Sequence, residues 1–115
     1  MVRLKQGDII KLDFDPQTGH EQKGRRPAIV VSNSYFNRYS KMIMVCPITN
    51  TDKKHPFHIR LGEGIKTTGV VLCDQLKTLG IIARAYEFIE NAPDETVQDI
   101  IGIIGNFMEA EDDLV

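Results

Sequence analysis

The stretch Gly19-His20-Glu21-Gln22-Lys23-Gly24-Arg25-Arg26-Pro27 gathers an acid, an imidazole, an amide, a lysine and two guanidinium groups between glycines. It runs directly into the apolar, β-branched segment Ala28-Ile29-Val30-Val31. A polar loop held by a rigid strand is a common way to build a site. Cleaving RNA through its own 2′-hydroxyl asks for three things: a group that takes the 2′ proton, positive charge on the phosphorane oxygens, and a group that protonates the departing 5′ oxygen. Arginine suits the second task, because its fork donates to two phosphoryl oxygens and stays charged. Glu21 suits the first, with nearby cations keeping it ionised. On these residues alone a plainer reading stays open, since arginines just before a strand often make surface ion pairs.

A second polar cluster, Asp74, Gln75 and Lys77, directly follows an apolar run. Its amide and carboxylate are suited to reading base edges, which single-stranded RNA exposes once unstacked. Phe14, Tyr35, Phe36 and Tyr39 offer stacking faces. Phe14 also alternates with Leu12, which fits a core position equally well, and Phe36 reads as core. The histidines carry less. His55 and His58 flank Pro56, and residues i and i+3 of a strand point to opposite faces, so no metal site is expected there. No metal or other cofactor is expected, and no phosphate-cradling glycine loop of the nucleotide-hydrolase type occurs. Cys46 and Cys73 lie in apolar runs and read as small packed hydrophobes.

The elements that must carry these groups are mostly strands. Ile10, Leu12 and Phe14 alternate with Lys11 and Asp13, the period of a half-buried strand. Residues 15–26 read as a long loop and Ala28–Val31 as a buried strand. Asn33–Ser40 reads as a loop with a short helical turn. Further strands are predicted at Met42–Thr49, Phe57–Leu61, Thr68–Cys73 and Ile81–Ile89. A helix is predicted at the C-terminal end, capped by Asn91 or Ala92, with Pro93, Asp94 and Glu95 in its first turn. Val97, Ile100, Ile101, Ile104, Phe107 and Met108 form its apolar face, and Gly102 and Gly105 within it suggest a close contact. Short strands with one terminal helix indicate an α+β, β-rich small barrel or strongly bent sheet in one domain, 1–115.

Apolar residues make up 42% and charged residues 26% of the chain, a globular composition. No signal peptide or membrane span is read, so a soluble, cytoplasmic protein is expected. The net charge of −2 argues against a polyanionic partner, but its distribution does not. Residues 1–60 carry eleven cations and five acids, a balance of +6; the remainder carry three cations and eleven acids, a balance of −8. That asymmetry fits a basic working surface opposite an acidic helix and tail, although scattered solvated charges give the same sums.

In order along the chain, these pieces resemble the MazF/PemK family of endoribonuclease toxins. The resemblance rests on Gly7-Asp8-Ile9-Ile10, Asp13-Phe14-Asp15-Pro16, Gly19 to Gln22, Gly24 to Val31, Pro47-Ile48-Thr49 and Gly69 to Thr78. It implies an SH3-like barrel with a C-terminal α-helix, forming a homodimer. By the same likeness, the catalytic pair falls on Arg26 and Thr49, and Glu21 at an acid also implicated in the family. RNA contacts are assigned to Phe14, His20, Gln22, Lys23, Arg25, Asn50, Lys53, Asp74, Gln75 and Lys77. The resemblance further implies metal-independent cleavage of single-stranded RNA (mRNA) to 2′,3′-cyclic phosphate and 5′-hydroxyl ends. It also implies a MazE-like antitoxin whose acidic tail occupies the RNA groove, with weak DNA binding alongside that antitoxin. PemK-type members place an arginine two residues before the Asp of Asp74-Gln75; Leu72 stands there, which favours a binding or positioning role for Asp74. Gyrase poisons of the CcdB type share the fold but rely on a tryptophan-bearing end, and this chain has no Trp. A non-catalytic RNA- or peptide-binding barrel is the other alternative.

Overall fold

The computed structural model describes residues 3–14, 25–81 and 85–112. These residues form seven strands and two α-helices: β1 (Asp8–Asp13), β2 (Arg25–Val30), α1 (Ser34–Ser40), β3 (Met42–Thr49), β4 (His58–Arg60), β5 (Val70–Leu72), β6 (Lys77–Gly80), β7 (Tyr86–Asn91) and α2 (Asp94–Phe107). The strands run antiparallel in the order β4-β5-β3-β2-β1-β7. β3 organises the rest: its start pairs with β6 and its end with β5, while β2 lies along its other edge. A strand that changes partners along its length bends the sheet, and the result is a small barrel-like sheet with a C-terminal helix.

Because β1, β2 and β3 are covered on both faces, alternate residues feed two cores. Ile9, Ile29, Cys46 and Ile48 pack with Val71, Val97 and Ile100 under α2. Ile10, Leu12, Ala28, Val30, Ile43 and Val45 pack with Leu4, Leu79 and Ile81 on the other side. Cys46 and Cys73 are buried free thiols, and burial pushes them up to about 12 and about 11, so neither is a nucleophile at neutral pH.

Several boundaries differ from the sequence reading. Asn33–Ser40 is a capped helix: the Asn33 side chain accepts from the Phe36 N–H, and Lys41 closes the end in the left-handed region. β6 is an addition to the predicted strands, since Lys77 reads as part of a polar cluster. The last strand begins at Tyr86, not Ile81, and Pro93 is the cap of α2, because Asn91 ends β7 and donates its side chain to Asp8. Gly102 and Gly105 sit on the exposed side of α2, where an added Cβ meets nothing within 4 Å, so no close contact within the described residues explains them. Ile101 and Met108 are exposed, and Phe107 packs edge-on against Phe57.

Two polar devices hold this frame. Fully buried Asn37 donates to the Leu4 and Ser32 carbonyls and accepts from the Ser32 hydroxyl, which in turn accepts from the Met44 N–H. Asn37→Ala orphans several of these groups and should cost at least ~2 kcal/mol, read from the urea midpoint. Glu90 accepts from the Lys66 and Thr67 N–H groups and the Thr67 hydroxyl, and the Thr67 hydroxyl is the chief reason its carboxyl sits below the usual range. A group with a lowered folded pKa adds stability above the ordinary carboxylate range, and that stability is lost as pH falls through its folded value. Thermal melts from pH 7 down to pH 3 should therefore drop more steeply for wild type than for Glu90→Gln.

Candidate functional site

A cleft of roughly 610 Å³ opens where the start of β2 meets the end of β3. Arg26, Pro27, Thr49, Asn50, Lys53, His58 and Gln75 contribute to its walls. The β2–β3 ladder ends at the Ala28–Pro47 pair, and Arg26 and Thr49, two residues beyond it on each strand, both line the cleft at that end. Two cations and no acid stand among the described lining residues, so the cleft presents an attractive field to an anion.

Each wall has a local cause. Thr49 and Val70 pair across β3 and β5, and Gly69 (φ +117°) lets the chain pass so close that a Cβ there would lie 2.4 Å from the Thr49 carbonyl oxygen. The Thr49 hydroxyl accepts from the Thr51 N–H, turning the chain out of the strand. Asn50 is held by the Thr68 hydroxyl. Asp52 pairs with the exposed Arg60 at 2.8 Å, and that bond chiefly lowers its pKa, with the Lys54 N–H adding to it. The loop bearing Lys53 is thus pinned at both ends.

The remaining predicted residues are placed as follows. Arg25 faces Asp13 in the register one step from Arg26 and lies outside the cleft lining. Phe14 is half-buried and packs on the second core, with the Lys77 ammonium 5.7 Å from its ring centre, and neither is among the described residues that line the cleft. Asp74 belongs to a short 3-10 turn, Cys73–Gln75, that sends Gln75 to the cleft and Asp74 to His58, 3.6 Å away. His20, Glu21, Gln22 and Lys23 lie outside the described residues.

His58 is the cleft residue that the sequence reading passed over. Strand parity sets residues 55 and 58 on opposite faces, yet β4 starts only at His58, and His55 lies in the preceding turn with its Nδ1 accepting from the Phe57 N–H. The turn brings the two rings to 5.0 Å, overturning the opposite-face expectation. Leu72, opposite His58 in the β4–β5 pair, supplies apolar wall where the resemblance expects an arginine in PemK-type members.

The bent sheet, the C-terminal helix and this cleft place the protein in the class of MazF/PemK-type small barrels. The chain belongs to the PemK-like, MazF-like toxins of type II toxin–antitoxin systems, whose family model matches residues 5–107. Endoribonuclease PemK of Escherichia coli is 35% identical over 109 residues, covering 91% of this chain and 82% of that protein. Endoribonuclease toxin MazF of E. coli strain K12 is 42% identical over 78 residues, 68% of this chain and 69% of its own. A chain of the MazE-MazF (Form-II) crystal structure from Deinococcus radiodurans superposes with a TM-score of 0.80 at 27% identity, covering 96% of this chain and all of that one. No helix among the described residues is long and apolar enough to cross a membrane.

Proposed function

We propose that the chain is a sequence-specific endoribonuclease toxin that cleaves single-stranded RNA, mRNA included, and thereby arrests translation and growth. The observation that carries this reading is the sharing of one cleft by Arg26 and Thr49, with no acid among its described lining residues. The RNA 2′ oxygen attacks the adjacent phosphorus and the P–O5′ bond breaks, leaving a 2′,3′-cyclic phosphate and a 5′-hydroxyl. Arg26 donates to the non-bridging oxygens as charge builds on them, an interaction strongest in the transition state. The Thr49 hydroxyl donates to the same phosphoryl group, Glu21 takes the 2′ proton, and solvent water gives a proton to the departing 5′ oxygen. The cationic side chains supply the positive charge, so cleavage proceeds without a metal. Asn50 and Gln75 contact bases, and Lys53 contacts the backbone.

The active form is a homodimer, and the inhibitor is an antitoxin whose acidic segment fills the groove. The MazE-MazF assembly of the D. radiodurans relative supports the second point. Incubating the purified protein with long single-stranded RNA and a chelator tests the reading. Cut RNA with 5′-hydroxyl ends is expected, and intact RNA, or damage confined to gyrase-bound DNA, overturns it. RNA binding should also weaken with salt, with a log–log slope of about −0.7 per neutralised phosphate. A flat response in a filter-binding titration removes the basic groove from the mechanism.

A further inference from the structure

His55, His58 and Asp74 each bring one metal-binding atom within 4.8 Å of the other two. They arrive from different places: the turn before β4, the first residue of β4 and the turn after β5. The pairing of His58 with Leu72 is what delivers Asp74 to the two rings. The His58 Nε2 stands 3.6 Å from the Asp74 carboxylate, too far for a hydrogen bond. An ion with ligand distances of ~2.0–2.1 Å holds its donors roughly 3.3 Å apart, so a bound ion would close this gap. His55 and Asp74 are exposed and can make the small rotations required. His58 is the fixed member, its side chain 11% exposed and its Nδ1 buried without a hydrogen-bond partner.

We propose that these three residues form a site for a borderline divalent transition ion, Zn²⁺ above all, at the wall of the cleft. Two imidazoles and one carboxylate suit zinc and its neighbours, whereas magnesium and calcium demand a shell of oxygens. Water completes the coordination on the open side. A metal-bound histidine normally donates its second N–H to a neighbour, and the buried Nδ1 of His58 has no such acceptor. That missing support, with the exposure of His55, sets the affinity on the order of micromolar, well short of a structural zinc centre. His58 also lines the cleft with Arg26 and Thr49, so an ion held on it occupies that wall, denies the imidazole to RNA and inhibits cleavage. This last consequence rests on the nuclease reading; the site itself does not.

Calorimetric titration of the full chain with Zn²⁺, and the visible absorption of the Co²⁺ form, test it. One ion per chain is expected, with His55→Ala and His58→Ala each weakening binding at least ~10-fold. Circular dichroism verifies that both variants are folded. Absence of binding below ~1 mM, or binding kept by the double variant, overturns the site. Binding lost instead in His20→Ala does the same. Zinc should slow cleavage by wild type but not by His55→Ala, whose residue lies outside the cleft lining. Zinc bound with cleavage undiminished overturns the inhibitory role. If zinc binds and no RNA is ever cut, the nuclease reading falls while the metal site stands.

Discussion

Arg26→Ala should lower single-turnover RNA cleavage by at least ~10²–10³-fold, the usual loss when one donor to a developing oxyanion is removed. The side chain is exposed at the start of β2, outside both cores, so the fold should keep its stability to within ~0.5 kcal/mol. RNA affinity should change far less than rate, because the guanidinium acts chiefly on charge that appears in the transition state. Arg26→Lys keeps the charge but loses the two-pronged geometry, and should recover only part of the rate. Thr49→Ala should also slow cleavage, by a smaller factor, since one neutral hydroxyl is lost. Rapid-quench measurements with saturating enzyme, paired with thermal melts, make the comparison. Cleavage by folded Arg26→Ala within a few fold of wild type would remove Arg26 from the chemistry.

Gly69→Ala should be the most damaging substitution outside the reactive groups. Its φ of +117° is a conformation that side chains rarely adopt, and the new Cβ would fall 2.4 Å from the Thr49 oxygen, 2.9 Å from the Thr49 carbonyl carbon and 3.0 Å from the Asn50 Oδ1. Backbone cannot yield cheaply there, because Thr49 pairs with Val70 and the Gly69 carbonyl accepts from the Leu61 N–H. A loss of roughly 2–4 kcal/mol is expected from strain and the disturbed ladder. The residue that must move carries the Thr49 hydroxyl, so cleavage should fall even under conditions where the variant stays folded. Urea midpoints together with rates at low temperature separate the two effects. An unchanged midpoint would mean that the close approach does not constrain the cleft.

Much of the frame is visible in the residues because burial on two faces leaves an unmistakable pattern. Ala28 to Val31 and Met42 to Thr49 are nearly continuous apolar runs, and both lie in the doubly covered centre of the sheet. The helix is equally plain from Val97, Ile100 and Ile104, which do pack on the core. β6 escaped notice because Lys77 and Thr78 are exposed and only Leu79 is buried, too short a pattern to separate from a loop. The α1 helix is hidden likewise: it buries only Asn37, a polar residue whose role depends on Leu4 and Ser32 reaching it from elsewhere.

Family, bent-sheet class and the candidates Arg26 and Thr49 are legible in residue type and local order, which the chain carries directly. Which candidates share a wall depends on how distant segments meet. The fold brings Arg26 and Thr49 to one cleft, holds Phe14 and Lys77 in a contact of their own, and joins His55, His58 and Asp74. The physical reason is that strand register and turn geometry fix these meetings. A shift of one residue in β4 against β5 would turn His58 to the other face, and no local stretch of sequence records that choice.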